Sequence, residues 1–285
     1  MRAAVLSLPL LALAALPAAA ACPEAADVQA YAADVAAGKP TRAPLPPEAT
    51  VADANCARDM LTELLATELG PRVGWKAGLT SEPAQARFGV SAPVLGALLE
   101  GMMLEDGATV KVADGVRPLF EADLVAVVAD EGINTARTPE EALAHLAGVR
   151  PFLELPDLPF AEGAPVNGPI LTAINVGAWR GVIGPLIEIP KGREGVEMLA
   201  AMTARLTDAS GAELSAVPGA AILGNPLNAV IWIAEALAAQ GKALQAGDLL
   251  SLGSIGPLHP MKPGMTVTLT YVGLPGTPTL TASFE

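Results

Sequence analysis

Apolar and polar positions change period several times along the chain, and each change marks an element. Val28, Tyr31, Ala32 and Val35 recur at helical spacing, which predicts a helix over 24–37 ended by Gly38. A Pro-rich connector over 40–47 leads to a second helix, predicted from Asp53 as N-cap to Leu69, where Gly70-Pro71 stops it. Residues 73–80 form a short strand with one lysine, Lys76, between Gly74 and Gly78. A short helix is expected over 81–88, loop over 90–99, and a strand at the end of 103–112. Two Val- and Leu-rich runs, 119–129 and 149–155, are expected to be buried strands. Between them Thr138-Pro139-Glu140-Glu141 opens a helix, with Thr138 as N-cap, proline at the first helical position and Glu141 completing a capping box. Residues 192–206 carry both helical and strand signals. Gly224 to Asn228 is a loop opening an amphipathic helix over 229–240, a strand follows over 249–252, and 265–272 and 278–284 alternate as a hairpin.

The run over 119–129 breaks the rule that buried strands are apolar. It contains Glu121 and Asp123, two residues apart and therefore on one face, about 7 Å apart along the strand. The next apolar strand contributes Glu154. A buried carboxylate must be paired, hydrogen-bonded or bound to a cation, and no Lys or Arg occurs over 118–136. Three oxygen ligands suit Mg²⁺ or Mn²⁺, whereas two histidines and no free thiol disfavour Zn²⁺. A buried network with Arg117, Arg150 or Arg180 is the structural alternative. Lys76 is either a snorkelling surface residue or the cation of a site.

The chain has 285 residues, 52% hydrophobic and 4% aromatic, enough for a full core. A formal net charge of -13 argues against nucleic acid and anionic membrane surfaces as partners. Residues 1–21 have a basic start, an apolar run and small-residue cleavage sites at Ala18 to Ala21, which predicts a signal peptide and a periplasmic or secreted protein with no membrane span. In that compartment Cys22 and Cys56 are expected to form a disulfide. The rival expectation is a lipid anchor on Cys22.

Several pieces, in order, resemble the 2-keto-4-pentenoate hydratase group of the fumarylacetoacetate hydrolase superfamily: Gly74-Trp75-Lys76-Ala77-Gly78-Leu79-Thr80-Ser81, Glu121-Ala122-Asp123, Phe152-Leu153-Glu154-Leu155, Asn175, Gly224-Asn225-Pro226, Ala246-Gly247-Asp248, Gly253-Ser254 and Ala282-Ser283-Phe284. The resemblance covers residues 25–285. It implies an α+β fold, a mixed β-roll or barrel-like sandwich flanked by helices, with an N-terminal helical hairpin. The expected organisation is a signal peptide over 1–21, an N-terminal helical segment over 22–70 packed on the main domain, and a catalytic domain over 71–285. It further implies a divalent ion, Mg²⁺ or Mn²⁺, held by Glu121, Asp123 and Glu154, with Lys76 also catalytic. Lys76, Asn175, Asn225 and Ser254 are expected at a small 2-oxo acid substrate, in a homo-oligomer.

Asp123 stands where the group usually has Glu, and Asn225 where it often has His. The stretch around Asn175 lacks the group's usual Asp and Ser pair. The expected activity is an exported hydro-lyase of the 2-oxopent-4-enoate hydratase kind. Decarboxylation of an oxalocrotonate-like diacid, or acid binding without turnover in the periplasm, are the alternatives. Carbon–carbon hydrolysis ranks lower, because His145 and His259 lie outside the matching motifs.

Overall fold

The computed structural model describes residues 21–285; the expected signal peptide lies outside the described residues except for its last position. In chain order the elements are α1 (Ala25–Ala36), α2 (Val51–Leu69), β1 (Arg72–Gly78), α3 (Glu82–Arg87), β2 (Val94–Leu99), β3 (Met103–Leu104), β4 (Thr109–Val110), β5 (Leu119–Val128), α4 (Pro139–Ala144), β6 (Leu146–Leu155), α5 (Gly168–Ala173), β7 (Arg180–Ile183), α6 (Arg193–Ala201), β8 (Thr203–Asp208), β9 (Glu213–Pro218), α7 (Pro226–Ala238), β10 (Leu249–Ser251), β11 (His259–Pro260), β12 (Thr266–Val272) and β13 (Thr279–Phe284).

The strands form two sheets. The larger runs β2-β1-β10-β5-β6-β7-β3, with β11 added to β5; the smaller runs β4-β13-β12-β8-β9. Pairing is mixed: β1 with β10, β3 with β7 and β4 with β13 are parallel, and the others are antiparallel. Alternation sorts β5 into two faces. Phe120, Ala122, Leu124, Ala126 and Val128 enter the main core, where they join Leu153 and Val182 from the same sheet and Leu206, Leu269, Tyr271 and Leu280 from the other. Glu121 and Asp123 face the opposite way, toward the side where α2 and α5 lie over β2.

The N-terminal helices dock through a separate apolar cluster. Val28, Tyr31 and Leu61 meet Phe160, Ile170, Leu171 and Ile174. Helix α2 begins three residues earlier than its sequence signal. Thr50 is the N-cap, its hydroxyl accepts from Asp53 N at 3.2 Å, and the Asp53 carboxylate accepts from Thr50 N at 2.8 Å, so Asp53 closes a capping box. The box expected at Thr138 and Glu141 is present. The 192–206 region resolves into both of its signals, α6 and then β8.

One expectation is corrected. Residues 94–99 form a strand, not a loop, and all six residues are buried. A strand covered on both faces has no polar alternation to reveal it, and Gly96 interrupts its apolar run. The apolar, 20-residue stretch Gly219–Ala238 has the length and composition to cross a membrane. It is the core helix α7 with its lead-in, and Leu227, Val230, Ile233 and Leu237 are fully buried.

A disulfide joins Cys22 to Cys56, with Cα atoms 5.4 Å apart, and ties the N-terminus to α2. It occupies the Cys22 sulfur that a lipid anchor would need. The sequence separation is 34 residues, so reduction or Cys56→Ser is expected to lower the unfolding free energy by about 4 kcal/mol in the chain-entropy account. Thermal melts with and without dithiothreitol check this; equal melting temperatures would refute it.

Candidate active site

Four neighbouring strands of the larger sheet bring the predicted residues together. Lys76 of β1 is in register with Ser251 of β10, Ser251 with Val125 of β5, and Glu121 of β5 with Glu154 of β6. All side chains at this parity lie on the face away from the smaller sheet. Lys76 and Glu154 are each 3% exposed, Glu121 6% and Asp123 fully buried. The lysine is therefore buried and paired with a carboxylate, not a snorkelling surface residue. Its Nζ pairs with Glu154 Oε1 and donates to Val176 O at 3.2 Å. Its stem lies over β2 at Gly96, where a Cβ would come within 2.8 Å of Lys76 Cγ and 3.0 Å of Asn175 O, so only glycine leaves room for it.

The carboxylates differ in their engagements. Glu121 accepts from the Ser254 hydroxyl. Asp123 accepts from Ser251 Oγ at 2.5 Å, Leu124 N at 2.5 Å, Gly253 N at 2.9 Å and Leu252 N at 3.1 Å. Two of the three arginines considered as structural partners, Arg150 and Arg180, are engaged elsewhere. Arg150 donates to Gly184 O at 2.6 Å, and Arg180 pairs with Asp114 at 3.3 Å. Both histidines are also used elsewhere: His145 on Asp130 at 2.7 Å, and His259 stacked on Phe120 at 5.1 Å.

Desolvation, then the charge of Glu154, holds Glu121 well above the usual carboxylate range. The same two causes push Asp123 up to about 7, against the donors that favour its ionised form. Three acids and one lysine in a dry site leave excess negative charge that a divalent cation would neutralise. Because both folded-state values lie above the unfolded ones, the fold binds these protons more tightly. Their stabilising contribution is complete below about pH 4 and is lost as pH rises through about 7 for Asp123 and through the raised value of Glu121. Metal-stripped protein is thus expected to melt at a higher temperature at pH 5 than at pH 8, with saturating Mg²⁺ reducing the difference. Calorimetry in chelator with and without added Mg²⁺ checks this, and a pH-independent melting temperature in chelator would contradict it.

The donor set fits a divalent ion in part. It is all oxygen, as Mg²⁺ or Mn²⁺ requires. Glu121 and Glu154 each keep one oxygen with no protein donor among the described residues. Asp123 instead is turned to β10. Accordingly, among the described residues no group of three His, Cys, Asp or Glu side chains is arranged to hold an ion.

The two asparagines expected at the substrate have backbone roles. Asn175 accepts from Ala97 N at 2.7 Å and donates to Ala97 O at 2.9 Å, so its carboxamide covers the open edge of β2. Asn225 caps α7, accepting from Leu227 N at 2.9 Å, and donates to Val196 O at 2.9 Å. Ser254 does reach the site, on Glu121. The turn after Asn175 supplies a carbonyl that sequence reasoning missed. Asn175, Val176 and Gly177 have φ of 56°, 55° and 66°, and Val176 holds this strained left-handed conformation with its carbonyl on Lys76. Behind the turn lies a cavity of about 500 Å³ walled by Tyr31, Leu61, Met102, Ile174 and Trp179; none of Lys76, Glu121, Asp123 or Glu154 lines it.

Ser251 and Tyr271 were also missed. Ser251 was visible as the lone hydroxyl in an apolar strand. Tyr271 is fully buried in β12, and its hydroxyl sits in the β5–β6 ladder, bonded to Asp123 O and to Phe152 N and O, the latter two at 3.1 Å. A tyrosine at the core-facing parity of an alternating strand must place its hydroxyl somewhere polar.

No protein-family model matches the chain. Known proteins do. The chain is 32% identical over 219 residues to a 2-keto-4-pentenoate hydratase of Paraburkholderia xenovorans (strain LB400), covering 76% of this chain and 79% of that one. It is 31% identical over 232 residues to a 2-hydroxyhexa-2,4-dienoate hydratase of Comamonas testosteroni, covering 80% and 85%. A 4-oxalocrotonate decarboxylase from Pseudomonas putida G7, solved with magnesium and adipate, superposes with a TM-score of 0.80 at 25% identity over 92% of this chain and 97% of that one. The chain belongs to the 2-keto-4-pentenoate hydratase group of the fumarylacetoacetate hydrolase superfamily, and its curled mixed sheets with flanking helices are that superfamily's fold.

Proposed function

We propose that the protein is a divalent-metal-dependent hydratase for a small 2-hydroxy-dienoic or 2-oxo acid, exported to the periplasm. The observation that carries this reading is the buried juxtaposition of Lys76, Glu121 and Glu154 on one face of four paired strands. Glu121 and Glu154 would hold Mg²⁺ or Mn²⁺ through their unengaged oxygens. When bound, such an ion supplies charge stabilisation for an enolate oxygen of the substrate.

The chain's own residues do the rest. The Lys76 ammonium lies where it can pair with a substrate carboxylate or carry a proton at Nζ. Val176 O and Glu154 fix its direction. Ser254 orients Glu121 by its hydroxyl. The low exposure of all four charged groups excludes bulk water, so only positioned water would add across the distal double bond, with no redox change. Neither histidine is placed at the carboxylates, which favours water addition over carbon–carbon hydrolysis.

Decarboxylation is the second reading, supported by the likeness to the 4-oxalocrotonate decarboxylase over 92% of this chain. Loss of dienoate absorbance with Mg²⁺ reports hydration, and carbon dioxide release from an oxalocrotonate-type diacid reports decarboxylation. Neither activity, with oxalate bound in calorimetry, would leave a non-catalytic acid-binding protein. Export is supported by the apolar leader and by a disulfide that begins at Cys22. Cell fractionation with intact-mass measurement tests it, and full-length reduced protein in the cytoplasm would refute it.

A further inference from the structure

The three strand acids are chemically unequal, and the inequality assigns them different work. An ionised carboxylate offers about four lone-pair sites. Asp123 accepts from four donors, the N–H groups of Leu124, Leu252 and Gly253 on Oδ1 and Ser251 Oγ on Oδ2, so neither of its oxygens is without a donor. Glu121 and Glu154 accept from one side-chain donor each, Ser254 and Lys76. For Asp123 to turn toward an ion, the Gly253 N–H and the Ser251 hydroxyl would lose their acceptor where no solvent reaches, since Asp123 and Ser251 are both fully buried, whereas Leu252 N also donates to Leu124 O at 3.0 Å. The shorter aspartate arm lets one oxygen meet the N–H groups of Leu252 and Gly253 while the other meets Ser251.

We infer that Asp123 is not a ligand of the ion held by Glu121 and Glu154 but a positioning residue, which fixes the 251–254 turn and thereby sets Ser254 on Glu121. Ser251 is its partner in this clamp. Because Ser251 is in register with Lys76, the clamp also ties the lysine strand to the carboxylate strand. The inference rests on the metal reading proposed above.

The probe is Mn²⁺, added to the full oxidised chain. Its inner-sphere waters are counted by water-proton relaxation, and its affinity by calorimetry. Asp123→Asn keeps a carboxamide oxygen for Leu252 and Gly253. It is expected to leave the water count unchanged and the affinity within about tenfold of the parent. Asp123→Ala removes the clamp, so it should weaken Mn²⁺ binding and alter the Mn²⁺ paramagnetic resonance line shape. The asparagine variant should restore both. Glu154→Gln should gain a water or lose more than about a hundredfold in affinity.

One additional water on Mn²⁺ in Asp123→Asn, or failure of asparagine to rescue alanine, overturns the assignment and leaves the metal reading standing. No Mn²⁺ binding by the parent overturns both. Should the Asp123 variants not fold, Ser251→Ala decides. A positioning role predicts a Mn²⁺-induced rise in melting temperature no larger than the parent's, since part of the clamp is lost. A larger rise in Ser251→Ala would mean that Asp123 leaves the serine to reach the ion, and would overturn the assignment.

Discussion

Glu154→Gln is expected to abolish Mg²⁺-dependent turnover and to weaken Mg²⁺ binding by more than about a hundredfold, while the protein still folds. The residue has two partners to serve at once. One oxygen takes the Lys76 ammonium, and the other has no protein donor among the described residues, while Glu121 is the register partner of Glu154 across the β5–β6 pair. Glutamine keeps the shape and offers Lys76 a carbonyl oxygen, so the strands stay paired. The charge that would draw a dication is gone, and one negative neighbour of Glu121 and Asp123 goes with it. Isothermal titration with Mg²⁺ and a dienoate absorbance assay read the two effects separately. Full Mg²⁺ affinity in this variant would show that the ion, if bound, sits elsewhere.

Lys76→Met is expected to cost roughly 10²–10⁴ in turnover, the range of a lost proton carrier or charge partner in a transition state. Its effect on metal binding should be of the opposite sign to that of Glu154→Gln. Methionine fills the stem volume beside Gly96 but leaves the Glu154 carboxylate without its cation in a site 3% exposed. Removing one partner of a buried pair costs about 3–5 kcal/mol, so metal-free protein should melt markedly lower. Added Mg²⁺ should recover much of that loss, because a dication substitutes for the missing ammonium. A variant that loses turnover, binds Mg²⁺ at least as well as the parent and is rescued thermally by it would separate the lysine's chemistry from its electrostatic role. Loss of Mg²⁺ affinity in Lys76→Met would contradict this assignment.

The sequence carried the site's ingredients better than their division of labour. Glu121, Asp123 and Glu154 were legible because a carboxylate in an apolar strand is costly and period-two alternation fixes its face. The place of Lys76 depends on Gly96 beneath it, and Gly96 lies in a strand with no polar alternation to mark it in the sequence. The disulfide followed from cysteine count and an expected compartment. Asn175 and Asn225 resembled substrate contacts by position, yet an asparagine carboxamide mimics a peptide group, and both are spent replacing missing backbone partners. Nothing in the local sequence says whether such a group faces a ligand or a strand edge. Asp123 shows the same limit: its shortened arm was visible, but three of its four donors come from residues 251–253, some 130 positions later.

The Tyr271 hydroxyl has a consequence for when the site can exist. It bonds to the backbone of Asp123 and Phe152 from β12, 119 positions after Phe152. The strands that carry the acids are therefore held in their working spacing by a residue made well after both of them. A chain still emerging from the ribosome, or one threaded unfolded across a membrane, carries Glu121 and Glu154 long before it can align them. The aligned set of acids thus belongs to the folded molecule alone, and a chain ending before Thr266 would hold the acids without the means to set them.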